Sequence, residues 1–307
     1  MDITDTLGSI NIGYDPSCRY AAPYFFIIGF MPFLSGVKPN RKGMNLYMKK
    51  ITVITNQKGG VGKTTTTCSM AGGLSMRGYK VLAIDLDPQG NLSFSVGAET
   101  DDSPTVYEVM KGQVPIRDAI QQTKTCDILP SNILLSGAEL EFNRPGREHI
   151  LKEAMGDIAD EYDYVFIDTP PALSILTVNA YTVANSIIIP MVPEILSLQG
   201  ISQLKETIDT VRKYYNHSLT IEGILLTKYN NRTNLTRDVE DLAKIVARQL
   251  NTSVLNAKIR TSVSVAEAPA HCESVLTFAP HAAAAKDYKS LIDELLKRGE
   301  PNGTKEQ

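Results

Sequence analysis

The chain has 307 residues, of which 43% are hydrophobic, so it can bury the core of one large domain or two small ones. Its formal net charge of −3 excludes a basic surface over the whole molecule, so any nucleic-acid binding must be local. The four cysteines lie far apart and form no C-x-x-C pair. This spacing disfavours a disulfide framework or a zinc site and suits a reducing, cytoplasmic location.

The first 47 residues contain an apolar stretch, 20–37, which resembles a signal peptide or a membrane span. The residues before it carry three aspartates and one arginine, and prolines and a glycine interrupt it, so both of these interpretations are disfavoured. Met48 opens "MKKITVIT" directly before the first predicted strand, and one hypothesis is that the natural chain starts there. The alternative is that residues 1–47 form a disordered or loosely packed extension. We expect one domain over 48–299 and a polar tail over 300–307.

From residue 49 onward, strand-like runs alternate with longer helical patterns. The runs are β-branched and lack polar alternation, as parallel strands covered on both faces do. Ser103 and Pro104 predict a further helix, with an N-cap followed by proline at the first helical position. The alternation predicts a doubly wound α/β fold, a mostly parallel sheet with helices on both faces. The predicted strands are 51–55, 80–87, 126–131, 162–169, 186–192 and 221–228, and the clearest helices are 63–77, 199–215, 235–250 and 282–297.

The loop after the first strand, "ITNQKGGVGKTTTT" over 54–67, nearly matches the phosphate-binding pattern G-x-x-x-x-G-K-[ST]. Its glycines let successive N–H groups form an anion nest that opens a helix. Lys63 is expected to reach the β- and γ-phosphates of a nucleotide, and the Thr64 hydroxyl to ligate Mg²⁺. A plain Gly-rich turn is the alternative. The predicted nucleotide-binding residues are Lys58, Gly59, Gly60, Val61, Gly62, Lys63, Thr64 and Thr65.

Two further acidic loops follow predicted strands. Asp168 ends the apolar run "YVFID" and resembles the Walker-B acid that holds the magnesium shell through water. In "DLDPQGN" we assign Asp87 to positioning the attacking water, with Asp85 either supporting it or serving as a structural acid. Because ligands collect at the carboxyl ends of parallel strands, all three loops are expected to converge.

The pattern departs from the ordinary one at two positions. Gln57 stands where the first glycine belongs, and Lys58 adds a second lysine inside the loop. Lys63 and magnesium are expected to fill the space beside the phosphates of the chain's own nucleotide. Lys58 is therefore predicted to reach a partner's nucleotide and stabilise its γ-phosphate in trans, as an arginine finger does. A surface lysine without a role is the alternative.

Three stretches carry a family resemblance: "KGGVGKTTT" at 58–66, "DLDPQGN" at 85–91 and "YDYVFIDTPPAL" at 162–173. Together they resemble the deviant-Walker-A ATPases of the ParA/Soj partition type, in the MinD/ParA superfamily of P-loop NTPases. The resemblance spans about 48–298 and suits the form without an N-terminal helix-turn-helix domain. It implies ATP and Mg²⁺ as cofactors, Lys58, Lys63 and Asp87 as catalytic residues, an ATP-dependent homodimer, and no membrane partner. It also implies binding to non-specific DNA, in association with the nucleoid, and stimulation of slow hydrolysis by a ParB-like centromere-binding protein.

The resemblance also implies a DNA-contacting surface near the carboxyl end of the chain. Arg232 matches a DNA-contacting arginine of the family, whereas Ser264 replaces the second one, so Lys258 and Arg260 are alternative candidates. The stretch 228–260 is locally basic, as backbone-only DNA binding requires, although an ordinary solvated helix face would carry a similar pattern. Its basic residues are Lys228, Arg232, Arg237, Lys244, Arg248, Lys258 and Arg260, against the acids Asp238, Glu240 and Asp241.

Three other functions share the phosphate-binding loop. A MinD-like membrane-cycling ATPase ends in an amphipathic helix, but the last predicted helix here runs into the polar stretch "EPNGTKEQ". A nucleotide-gated DNA-binding regulator of replication shares every motif with a partition ATPase, and the sequence does not separate these two. An iron–sulfur reductase is excluded because "FIDTPPAL" carries no cysteine.

Overall fold

Eight strands form one sheet in the described part of the chain. The computed structural model describes residues 50–193, 200–230 and 234–299, without the side chains of 50, 234–239 and 299. The strand order is β3-β4-β2-β5-β1-β6-β7-β8, and every neighbouring pair is parallel except β3 and β4. The strands are β1 (Lys50–Ile54), β2 (Val81–Asp85), β3 (Gln121–Gln122), β4 (Asp127–Leu129), β5 (Tyr164–Asp168), β6 (Ser186–Met191), β7 (Thr220–Tyr229) and β8 (Val254–Arg260).

Helices connect these strands, as the alternating pattern predicts. The longest are α1, α8, α9 and α12, and they match the four helices expected from the sequence to within a few residues. The helices are α1 (Lys63–Ser75), α2 (Asn91–Val96), α3 (Val106–Met110), α4 (Ile116–Ala119), α5 (Ala138–Glu141), α6 (Ile150–Met155), α7 (Ile175–Val183), α8 (Ile201–Tyr214), α9 (Asn234–Gln249), α10 (Ser264–Glu267), α11 (Val275–Phe278) and α12 (Ala283–Gly299).

Alternate residues of the central strands enter two separate hydrophobic clusters. On β1, Val53 belongs to one cluster and Ile54 to the other. On β2, Ile84 shares the cluster of Val53, whereas Ala83 shares that of Ile54. Because successive side chains of a strand point to opposite faces, both faces of the sheet are covered. The expected doubly wound, mostly parallel α/β fold is therefore confirmed.

Two strands and one helix start differ from the sequence prediction. The edge strand β8 was missed because only Leu255 and Ile259 among its residues are buried, so it lacks the apolar run of a central strand. Strand β3 has two residues, which is too short for a periodic signal. The expected N-cap at Ser103 is wrong: α3 begins at Val106 with Thr105 as the N-cap. The Glu108 carboxylate accepts a hydrogen bond from the Thr105 N–H, and this capping box places the start of α3 two residues after the predicted one.

The register of the central strands places three loops at one edge of the sheet. Asp168, the last residue of β5, pairs with Ile54 of β1 on one side and with Asp85 of β2 on the other. The loops that follow β1, β2 and β5 therefore begin side by side, as expected from the sequence. No helix of the described residues is both long and apolar enough to cross a bilayer. The expected boundaries at residues 47/48 and 299/300 stay predictions, because the chain beyond them lies outside the described residues.

Candidate phosphate-binding site

The loop between β1 and α1 turns through backbone conformations that favour glycine. Gly60 has φ 70° and Gly62 has φ 87°, both in the left-handed region, where a side chain is strained. At Gly59 an added Cβ would meet no atom within 4 Å. Val61 is fully buried, so its side chain anchors the turn in the protein interior while its neighbours stay on the surface. The loop ends at Lys63, the first residue of α1, so the positive end of this helix faces the loop.

Gln57 has a structural role at the position where the ordinary motif has glycine. Its side-chain amide Nε2 donates to the carbonyl oxygen of Gly200, 3.3 Å away, at the start of α8. Gly200 has φ 82°, where a residue with a side chain is strained, and a Cβ there would also lie 2.7 Å from Gln57 Oε1. The departure from the ordinary motif therefore ties the loop to α8.

Two side chains tie the loop to neighbouring strands. Asn56 is buried; its Nδ2 donates to the Pro190 carbonyl on β6 at 2.7 Å, and its Oδ1 accepts the Lys58 N–H at 3.0 Å. Thr227 on β7 donates its hydroxyl hydrogen to the Val61 carbonyl at 2.8 Å. These bonds position the loop backbone in advance. Sequence analysis missed both residues, because one sequence gives no signal that separates them from other polar residues at strand ends.

Lys63 is a buried cation within the loop. Its side chain is folded back over the turn, and Nζ donates to the Lys58 carbonyl oxygen at 3.4 Å. Burial lowers the pKa of Lys63, although the nearby Asp168 and Asp87 carboxylates oppose that shift. A desolvated ammonium gains more from an anionic ligand than an exposed one does, so this position suits a phosphate. Lys58 itself is half-buried.

Thr64 and Asp168 form a hard-oxygen pair at the start of α1. The Thr64 hydroxyl donates to Asp168 Oδ2 at 2.6 Å, which brings the first and third loops together. Asp168 is fully buried, and its Oδ1 has no hydrogen-bond partner among the described residues. Burial and the neighbouring Asp85 raise the pKa of Asp168 well above its usual range. An unsatisfied buried carboxylate oxygen beside a hydroxyl fits Mg²⁺, which is bound by one or two protein oxygens and several waters.

Asp85 is a positioning residue for the second loop. Its Oδ1 accepts the Asp87 N–H at 3.0 Å, and its Oδ2 accepts the Ser93 N–H and hydroxyl at 2.9 and 2.8 Å. Burial raises the pKa of Asp85 to about 6, against the lowering effect of these hydrogen bonds. These hydrogen bonds fit a structural role for this acid, and one of them holds the Asp87 backbone.

Asp87 lies just beyond β2 and is 8% exposed. Its Oδ1 accepts the Gln89 N–H at 3.0 Å. The Gly90 N–H closes the turn on the Asp87 carbonyl at 2.9 Å, and Gly90 adopts φ 64°, with no room for a Cβ against the Ser131 carbonyl. The turn therefore holds the Asp87 carboxylate at the edge of the sheet where the loops after β1, β2 and β5 begin.

The remaining predicted site residues are placed as follows. Thr65 is half-buried in the first turn of α1. Lys258 forms an ion pair with Glu240 at 2.7 Å, and Arg260 forms one with Asp287, in which two guanidinium nitrogens bond the carboxylate. Both cations are thus matched by acids of the same chain, and their assignment to DNA stays a prediction. Arg232 lies outside the described residues.

Known proteins resemble this chain in sequence and in fold. The family model described as AAA domain (AAA_31) matches residues 48–221, which include all three loops of the site. The chain is 38% identical over 257 residues to the sporulation initiation inhibitor protein Soj of Bacillus subtilis, with 82% of this chain and 100% of Soj covered. It is 38% identical over 255 residues to the chromosome partitioning protein ParA of Caulobacter vibrioides, with 81% of this chain and 94% of ParA covered.

A solved structure adds a comparison of ligands. Cobyrinic acid a,c-diamide synthase from Mycobacterium smegmatis, with bound ADP and magnesium, is 36% identical with a TM-score of 0.72 and covers 85% of this chain and 100% of its own. The same protein was also solved with an ATP analogue and magnesium, at a TM-score of 0.71, 36% identity and coverage of 82% of this chain and 96% of its own. A chain of this fold therefore holds a magnesium nucleotide.

Proposed function

This chain belongs to the AAA_31 family of AAA domains and to the ParA/Soj group of the MinD/ParA superfamily, and from that premise we propose that it is a partition ATPase. It binds ATP with Mg²⁺, dimerises around the nucleotide, binds DNA without sequence preference and moves DNA with a ParB-like partner. The observation that carries the proposal is the Thr64–Asp168 hydrogen bond beside the buried Lys63, which joins two nucleotide-binding motifs in one site.

The residues divide the binding of Mg–ATP between them. The backbone N–H groups of 59–64 cradle the β-phosphate, and the Lys63 ammonium neutralises the β- and γ-phosphates. The Thr64 hydroxyl would ligate the magnesium ion, and Asp168 would hold its water shell. The metal supplies charge neutralisation on the phosphate oxygens. The chain's own contribution is a rigid loop, fixed by Asn56 and Thr227 before any ligand arrives.

Asp87 orients the attacking water. Its carboxylate lies beyond the end of β2, next to the strand that carries Asp168, and contributes to the electrostatic field at Lys63. Asp85 fixes the Asp87 backbone, so the carboxylate keeps its direction when the nucleotide changes. In phosphoryl transfer the protein mainly places reactants and neutralises charge, so one well-placed carboxylate on the water is sufficient.

Lys58 links turnover to dimerisation. Its backbone N–H donates to Asn56 Oδ1, and its carbonyl oxygen accepts from Lys63 Nζ. From this position in the loop, the Lys58 side chain reaches the γ-phosphate bound by the partner subunit. A cation supplied in trans stabilises the charge of the transition state and makes pairing depend on ATP.

The first experiment tests nucleotide binding. Lys63→Ala is expected to abolish measurable ATP binding by calorimetry, since the buried cation for the phosphates is lost. Lys152→Ala is the matched control, because it removes an exposed lysine from α6. Wild-type ATP affinity in Lys63→Ala would exclude the phosphate site.

The second experiment tests the trans contact and the partners. Lys58→Ala is expected to bind ATP but to stay monomeric in sedimentation with a non-hydrolysable analogue. Its ATP turnover is expected not to be stimulated by DNA plus a ParB-like protein.

In the wild type, stimulation of ATP turnover only when DNA and the ParB-like protein are both added supports partition. Stimulation by anionic vesicles supports the membrane-cycling alternative. Unchanged pairing and turnover in Lys58→Ala would refute the trans role.

A further inference from the structure

Lys228, near the end of β7, has a backbone conformation that is costly for a lysine. Its φ is 49°, in the left-handed region. Of the described residues other than glycine, Asn251 and Cys272 are the others with positive φ, and asparagine tolerates this region far better than lysine does. Strain of this kind persists where the surrounding structure imposes it, and such residues cluster at ligand sites.

The side chain of Lys228 lies over the phosphate-binding loop. Its Nζ is 4.0 Å from the position that a Cβ on Gly60 would occupy. The preceding residue, Thr227, bonds the Val61 carbonyl, and its methyl carbon is 3.8 Å from the corresponding Cβ position on Gly62. The end of β7 is therefore seated against the loop, and the strained residue directs an ammonium group across it.

The sheet order indicates which end of a nucleotide Lys228 faces. The strands run β2-β5-β1-β6-β7, so Asp87 and Asp168 lie on one side of the loop and Lys228 lies on the other. The two acids mark the γ-phosphate and metal end of the nucleotide. A nucleotide bound with its γ-phosphate at these acids and its phosphate chain across the loop after β1 would have its nucleoside end on the β7 side.

We propose that Lys228 is a nucleotide-binding residue that contacts the nucleoside end of ATP, at the α-phosphate and ribose oxygens. This inference rests on the proposed function. It adds a third cation to the site, beside Lys63 and Lys58, and that cation contacts a part of the ligand that ATP and ADP share. The left-handed backbone is the conformational cost of aiming the ammonium at this position.

Two substitutions separate binding from folding. Lys228→Gly removes both the cation and the backbone strain, so it is expected to raise the thermal midpoint of the nucleotide-free protein by about 2–4 °C. It should also weaken the binding of ATP and ADP by about tenfold each, as expected for one lost charge-assisted contact. Lys228→Met keeps the stem but loses the charge, so it should weaken both nucleotides without raising the midpoint. Asn251→Gly is the control, since it relieves a positive φ of 52° in the turn before β8.

The inference is supported if both Lys228 variants lose affinity for ATP and ADP equally while Asn251→Gly binds both as the wild type does. Wild-type affinity in the two Lys228 variants overturns it, as does a loss confined to ATP, which would place the lysine at the γ-phosphate. If Lys228→Gly does not fold, Lys228→Met decides. Absence of nucleotide binding in the wild type would refute the proposed function itself, whereas loss only in Lys63→Ala would refute this inference alone.

Discussion

The phosphate-binding loop and the basic stretch around β8 both carry positive charge, but the cations of the two regions have different partners within the chain. In the loop, Lys63 is 7% exposed and its Nζ donates to one backbone carbonyl, that of Lys58, so its charge stays available to an anion. Around β8, the Arg260 side chain is 48% exposed and forms an ion pair with Asp287. The first region is prepared for a ligand of high charge density. In the second, a ligand must compete with acids already in place.

The largest effect is expected on the rate of ATP hydrolysis when Asp87 is replaced. Asp87→Ala removes the carboxylate that orients water but leaves the loop and its helix intact. ATP hydrolysis is therefore expected to fall about 100- to 1,000-fold while ATP affinity changes little. Phosphate release and equilibrium binding measure the two quantities. Asp101→Ala, at an exposed turn after α2, serves as the control. Wild-type turnover in Asp87→Ala would remove catalysis from this carboxylate.

The geometry of the loop could be predicted from the sequence because it follows from local spacing. Strand, glycines, Lys63 and Thr64 are neighbours in the chain, and the meeting of Thr64 with Asp168 follows from a general rule for parallel sheets. The ion-pair partners of the basic residues around β8 do not follow from local spacing. Asp287 is 27 residues from Arg260 and lies on α12, so only the packing of that helix against β8 reveals the pair.

The next effect concerns stability and the buried acid Asp85. Burial raises its folded-state pKa from 3.8 to about 6, so the native state binds this proton more tightly than the unfolded chain does. The free energy of unfolding contributed by this group therefore falls as the pH rises from about 4 to about 6, by an amount on the order of 3 kcal/mol. Asp85→Asn does not titrate, so the stability advantage of the wild type over this variant should shrink across that window.

Urea unfolding of the nucleotide-free protein at several pH values measures this difference. Glu153→Gln on α6 changes an exposed acid in the same way and should show no comparable trend. A wild-type advantage over Asp85→Asn that grows with pH would mean that the three hydrogen bonds to Asp85 outweigh its burial.

A smaller effect is expected at the metal side of the loop. Asp168→Asn keeps an acceptor for the Thr64 hydroxyl but removes the charge that orders the magnesium shell. The Mg²⁺ dependence of ATP binding is expected to shift to about 10- to 100-fold higher metal concentration. Binding of ADP in the presence of a chelator is the internal control. If that binding is lost as well, the substitution has disrupted the loop and the metal role is not supported.

The smallest effect tests the basic surface directly. Asp287→Asn releases Arg260 from its ion pair, and if Arg260 faces DNA, affinity for any DNA at low salt should rise about three- to tenfold. The slope of log K against log salt should steepen by about 0.9, the value for one added phosphate contact. Asp293→Asn is matched to it: it removes one acid from the same helix, but its partner is Arg77. If both variants bind DNA more tightly by the same factor, net charge alone explains the gain. If only Asp287→Asn binds DNA more tightly, the ion pair with Asp287 limits the contact of Arg260 with DNA. The cation near β8 is then held by an acid before a ligand binds, whereas the Lys63 cation of the phosphate-binding loop is not.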